Sequence, residues 1–260
     1  MTVLLVDAGN ARLKWAEQKD GVIASPGVAE IGDSAQGAVA KMRESVSDSV
    51  TAIAVSNVAG HQLGVAVQQA FAGARAVPVW YAQSTRVAGG VRNAYAQPEQ
   101  LGVDRWAALV GASARLRAIG VAEPVCVVDA GTALTIDALD SDGTHLGGLI
   151  LPGISMQRSV LLEATADIAP KARSELDADR RLELFATDTA TALERSGAIA
   201  CAATVDRCAQ ALGAESVRAR VMLAGGDAQA LTRWLATDFE ICPNLVLEGL
   251  AILFEQRSLD

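Results

Sequence analysis

Cysteine and histidine are scarce in this sequence: four and two of 260 residues, with seven prolines and 4% aromatic side chains. Cys126, Cys201, Cys208 and Cys242 never fall into C-x-x-C spacing, and His61 and His145 lie far apart. That argues against a zinc cluster and for buried thiols. Basic residues are short too, with 22 Lys and Arg against 30 Asp and Glu and a formal charge of -8. No basic stripe is left for nucleic-acid phosphates, and no polybasic run for an anionic membrane surface. Also missing are any apolar stretch near the roughly 20 residues that span a bilayer and a charged, apolar, then small-residue leader. These absences lead us to expect a cytoplasmic protein without nucleic-acid or membrane partners.

What is present is a large apolar fraction, 51%, enough to bury the core of one large domain or two ordinary ones. The clearest order is an internal repeat. "VLLVDAGNARLKWA" at 3 to 16 returns as "VCVVDAGTALTIDA" at 125 to 138, shifted by 122 positions. Each copy reads as a buried strand, a turn at Asp-Ala-Gly and a second strand with apolar residues at alternate positions. Two similar lobes follow, divided near "AIGVAEP" into residues 1–120 and 121–260. In the first, the patterns predict a strand over 49–58, a helix over 61–73 ended by Gly73, an edge strand over 76–81 carrying Pro78, and a long helix over 102–120. In the second they predict an Ala-rich helix over 189–213, a strand, double-glycine turn and helix within 217–235, and a closing helix at "NLVLEGLAILFEQ".

The turn at residues 7 to 14 has two readings. As a phosphate grip, Gly9 brings backbone N–H groups close to oxygens, Lys14 adds a point charge and Asp7 faces a metal ion. As a plain hairpin, Asp, Gly and Asn are there for their turn preferences alone. Recurrence at Asp129-Ala130-Gly131-Thr132 favours a facing pair of loops with a nucleotide between the lobes. There Thr132 offers a hydroxyl to a phosphate oxygen, and Asp129 stays available for a cation. Neither copy is a P-loop, since G-x-x-x-x-G-K-[ST] is absent, nor a dinucleotide fingerprint, since a strand and not a helix follows the glycine. "LAGGDAQAL" at 223 to 231 either lets a flat adenine lie against bare glycines or simply turns a strand into a helix with Asp227 as N-cap. "GVDR" at 102 to 105 starts the long helix, the end that favours anions. Asp104 could accept a hydroxyl proton while Arg105 holds a developing phosphoryl charge; alternatively Asp104 caps the helix and Arg105 is a solvated surface residue. Tyr95 is either a substrate-side hydroxyl or an aromatic filling its loop.

Taken in order, "DAGNARLK", "LGVDR", "VVDAGTALT", "GGLILPG", "ATDTATAL" and "LAGGD" resemble the type III pantothenate kinases over nearly the whole chain. The resemblance implies an α/β fold of two RNase-H-like lobes, as in the actin-like, acetate and sugar kinase superfamily, with mixed sheets flanked by helices and a nucleotide cleft between the lobes. It implies that ATP phosphorylates the primary hydroxyl of pantothenate, the first step toward coenzyme A. Residues Asp7, Ala8, Gly9, Asn10, Ala11, Arg12, Leu13 and Lys14 would then grip ATP together with Thr132. Asp104 would be the proton acceptor. Tyr95, Gly102, Val103, Asp104 and Arg105 would line the pantothenate pocket, and Asp129 would help hold a potassium or ammonium ion, with Mg2+ accompanying ATP. A homodimer is implied, whose pocket borrows a threonine from the partner, here Thr189 with Thr187 as the alternative. Two other readings compete: a non-catalytic accessory factor in transcription from the same family, and a sugar or acetate kinase of the superfamily.

Overall fold

A computed structural model describes residues 1–32, 34–72, 76–165, 184–213 and 219–257. The expected helix stop at Gly73 lies outside these.

The first repeat opens with β1 (Thr2–Ala8), β2 (Arg12–Lys19) and β3 (Val22–Glu30), followed by α1 (Ala35–Ser45), β4 (Val50–Asn57), α2 (His61–Ala70) and β5 (Val79–Tyr81). The sheet order is β3-β2-β1-β4-β5. β1 runs antiparallel to β2 and parallel to β4, and every residue of β1 is buried. Alternation along the strand sends Leu4, Val6 and Ala8 to one face, where they meet Val39 and Met42 of α1 and Leu63 and Val67 of α2. Val3, Leu5 and Asp7 therefore share the opposite face. Pro78 lies one residue before β5, where its carbonyl accepts from Ile53 N at 2.9 Å. A proline carbonyl can accept although its nitrogen cannot donate, which suits the sheet edge.

Two short strands, β6 (Val87–Ala88) and β7 (Val91–Arg92), lead to α3 (Val103–Ala118). This helix is buried from Arg105 through Ser113. It ends at Gly120, whose φ of +68° is open to glycine at low cost.

The second repeat runs β8 (Val125–Ala130), β9 (Ala133–Leu139), β10 (His145–Pro152), α4 (Ile154–Ala164), α5 (Thr189–Leu212), β11 (Arg220–Ala224), α6 (Ala228–Leu231) and β12 (Phe239–Ile241), before α7 (Leu245–Gln256) closes the described chain. Its sheet order, β10-β9-β8-β11-β12, repeats that of the first. Cys126, Val128, Leu134, Ile136, Val221 and Leu223 pack under Ala198, Cys201 and Val205 of α5. Cys126 is one of the expected buried thiols, and burial pushes its pKa up to about 12.

Packing divides the chain differently from a single cut at 120. One compact unit comprises residues 1–123, 139–147 and 244–260, the other 124–138 and 148–243. The reason for the last segment is local. α7 lies against α3 so closely that Gly249 and Gly111 leave no room for a Cβ, and Arg115 of α3 donates through Nε and Nη2 to Glu248 at 2.5 and 2.6 Å.

Candidate active site

Each Asp-Ala-Gly turn is closed by its glycine N–H, the second one residue more tightly than the first. At the first, Gly9 N donates to Arg12 O at 3.1 Å, and at the second Gly131 N donates to Ala133 O at 3.0 Å. Both are hairpin turns, as the plainer reading held. That reading nevertheless leaves Gly131 unexplained: its φ is not positive, and an added Cβ would meet nothing nearer than 3.8 Å. Gly9 is somewhat tighter, with Arg12 O 3.3 Å from its ideal Cβ.

Asp7 is nearly buried at the end of β1 and stands directly opposite Lys14 across the antiparallel ladder. Asn10 and Ala11 are exposed at the tip. In the second unit Asp129 is half-buried at the end of β8, Thr132 is exposed, and Gly153 anchors the loop by donating to Thr132 O at 2.9 Å. Among the described residues no group of three or more His, Cys, Asp or Glu is placed to hold a metal.

"LAGGD" divides otherwise. Gly225 has a φ of +96°, and its Cβ would fall 2.2 Å from Ala130 O. Close strand packing thus accounts for this glycine without a ligand. Asp227 occupies the N-cap position of α6, with no side-chain capping bond.

At the start of α3 the N-cap is Gly102, not Asp104. Asp104 sits in the first turn and accepts the backbone N–H of Arg105 through Oδ1 at 2.8 Å. An added Cβ on Gly102 would come 2.6 Å from that oxygen, so the glycine lets the carboxylate fold back. Arg105 is buried, contrary to the reading of it as a solvated residue. Its Nη1 donates to the Tyr95 hydroxyl at 3.3 Å, and its guanidinium carbon lies 6.0 Å from that ring's centroid. The structure therefore brings Tyr95, Gly102, Asp104 and Arg105 together; Val103 is half-buried beside them.

The loop bearing Tyr95 is heavily braced. Arg86 donates to the carbonyls of Asn93, Tyr95 and Ala96 at 3.2, 2.6 and 2.7 Å. Buried Asn93 accepts from Tyr95 N at 3.0 Å. His145, fully buried, stacks on Tyr95 with centroids 5.9 Å apart and planes 17° from parallel. Sequence reasoning misses this neighbour, since a separation of 50 positions in the chain offers no periodic signal for it.

Thr189 opens α5 directly after its N-cap Asp188. The Thr191 backbone N–H holds the Asp188 carboxyl below its usual range. Thr187 is exposed just before that cap.

Two sheets of one strand order, each with an Asp-Ala-Gly turn at the end of its central strand, define the actin-like ATPase class that includes many small-molecule kinases. Within it, the chain belongs to the type III pantothenate kinase family, whose model matches residues 3–211. It is 38% identical over 263 residues to the type III pantothenate kinase of Azoarcus sp., covering 99% of this chain and 92% of that one. Among solved structures, a Campylobacter jejuni protein assigned to the Baf family of transcriptional activators superposes with a TM-score of 0.57 at 21% identity, over 99% and 100% of the two chains. A Sinorhizobium meliloti protein assigned as a 2-dehydro-3-deoxygalactonokinase gives 0.58 at 15% identity, over 99% of each. Those two likenesses concern the fold alone. No helix among the described residues is long and apolar enough to cross a membrane.

Proposed function

We propose that this chain transfers the γ-phosphoryl group of ATP to the primary hydroxyl of pantothenate, with Asp104 accepting the hydroxyl proton. The observation that carries this reading is the first turn of α3. There a carboxylate pinned by a backbone N–H and a buried guanidinium touching a tyrosine hydroxyl share one anion-favouring helix end.

Phosphoryl transfer asks the protein for position and charge rather than covalent chemistry. The pantothenate oxygen attacks phosphorus as its proton passes to Asp104, the bond to the β-phosphate oxygen breaks, and ADP leaves. Arg105 stabilises charge on the transferring group, and Tyr95 orients the pantothenate. Each Asp-Ala-Gly turn, taken by itself, suits a phosphate-binding loop through its backbone N–H groups, with Asn10 and Lys14 adding side-chain contacts in the first and Thr132 in the second. Mg2+ bound with ATP would supply neutralisation of phosphate charge. A single carboxylate such as Asp7 suits a cation bound mainly by phosphate and water, and Asp129 would assist a potassium or ammonium ion.

A second copy completes the enzyme. Leu149 and Ile150 on edge strand β10, with Met156, Val160 and Leu161 on α4, are 40 to 66% exposed, and α4 buries no residue at all. Such exposed apolar residues suit a homodimer that would bring Thr189 to the partner's substrate.

Purified protein given pantothenate, Mg-ATP and a potassium salt should release ADP and 4'-phosphopantothenate and sediment at twice the chain mass. Absence of turnover, or a monomer, overturns the corresponding statement. Gly131→Ala tests the phosphate role of the second turn. Thermal stability should stay within a degree or two, because the Cβ meets only ordinary contacts, while KM for ATP rises about tenfold or more. An unchanged KM removes the ligand from the explanation of this glycine.

A further inference from the structure

His145 belongs to none of the motifs that carry the proposed chemistry, yet it is fully buried against a residue that does. We infer that His145 is a positioning residue for pantothenate: stacked on Tyr95, it fixes the plane of the phenol whose hydroxyl meets Arg105. This rests on the pantothenate kinase reading and adds to it a specific support for the substrate pocket.

Hydrogen bonds anchor the main chain on each side of the stack. The turn before His145 is closed by Gly143 N to Asp140 O at 3.0 Å and Asp140 N to Thr144 O at 2.8 Å. It is then tied to the Tyr95 segment, since Arg92 N donates to Gly143 O at 2.9 Å and Arg92 Nη1 to Thr144 Oγ1 at 3.0 Å. Gly143, at a φ of +85°, lies so close to Gly90 O that a Cβ would fall 2.4 Å from it. On the other side, Arg86 and Asn93 hold the backbone around Tyr95. These bonds set where the main chain runs but leave the half-exposed phenol free to turn about its side-chain torsions. The near-parallel imidazole, its centroid 5.9 Å from that of the phenol, lies offset against the ring and limits that freedom. Rings offset at this separation attract one another beyond simple burial. A pre-oriented hydroxyl binds its substrate without first losing rotamer entropy, so its effect falls on binding.

Steady-state kinetics on the full-length chain test this. His145→Ala should raise KM for pantothenate about tenfold, with kcat within about twofold and KM for ATP unchanged. His145→Phe, which keeps a flat ring in the same place, should return KM to within about twofold of the wild type; His145→Leu, of comparable bulk but not flat, should not. In a Tyr95→Ala background the His145→Leu change should add almost nothing, because the group it positions is gone. The His145→Leu and His145→Phe pair carries the test even where the alanine variant fails to fold. Equal KM values for Leu and Phe, a loss confined to kcat, or full additivity with Tyr95→Ala would each overturn the inference. A wild-type chain that never phosphorylates pantothenate sinks the functional reading first, and this one with it; an active wild type with an unaffected His145→Leu variant sinks this one alone.

Discussion

Asp104→Asn should fold like the wild type, bind both substrates, and turn over about a thousandfold more slowly, within the range for loss of a general base. The substitution is chosen because the asparagine amide keeps an oxygen where Asp104 Oδ1 now accepts the Arg105 N–H at 2.8 Å. The first turn of α3 thus keeps its contact, and only proton acceptance is lost. If the carboxylate were there merely to satisfy that N–H, asparagine would serve nearly as well and kcat would hardly move. Gly102→Ala makes a graded companion. Its Cβ would press on Asp104 Oδ1 from 2.6 Å, pushing the carboxylate aside while leaving it ionisable. It should retain more activity than Asp104→Asn and less than the wild type, with little change in melting temperature. Single-turnover kinetics separate the cases: a slowed chemical step supports the base, whereas an unchanged step would remove Asp104 from the proposed mechanism.

The parts of this arrangement legible in the sequence are those where one local signal suffices. The paired strands around each Asp-Ala-Gly turn, the β4 strand and α3 all follow from period and punctuation, because β1 and β8 are central strands and their neighbours alternate by burial. The edge of the first sheet is not legible. β3 contains "ASPG", with Ser25 at a φ of +54° and a register shift opposite Trp15 to Glu17. Gly27 is there because the Trp15 indole covers it, its Cβ position being 2.3 Å from that ring. An irregular strand shaped by one cross-strand tryptophan reads as a loop when taken alone. α1 escapes for the opposite reason: its capping Ser34 is clear enough, accepting from Gly37 N at 3.2 Å, but the helix behind it is weakly apolar. At the site, whether Asp104 caps the helix and whether Arg105 is solvated need coordinates, since neither the Gly102 N-cap nor the burial of Arg105 against Tyr95 has a local signal in the sequence. His145 and α7 are non-local partners, and no window of sequence contains both members of either contact.

Gly249→Ala should destabilise this protein by about 3 to 4 kcal/mol, far more than a methyl added at Gly102 or Gly131. The added carbon would lie 1.7 Å from Ala107 O, 2.6 Å from its carbonyl carbon and 2.9 Å from Gly111 N. These are backbone atoms of α3, so no rotamer change can relieve the clash; α3 and α7 must separate. Separation opens the seam where Leu245 and Gly249 of α7 meet Ala107 and Gly111 of α3. It also stretches the paired bonds from Arg115 to Glu248. For a unit of this size the melting temperature should fall by roughly 6 to 15 °C. Because α3 carries Asp104 and Arg105 on its first turn, whatever protein still folds should show a raised KM for pantothenate as well as lower stability. Gly131→Ala, whose Cβ meets nothing closer than 3.8 Å, is the matched control for a methyl without a clash. Equal melting temperatures for the two variants, measured by calorimetry, would mean that the helices are not in fact held at glycine distance. The grouping of α7 with the first repeat would then lose its physical cause.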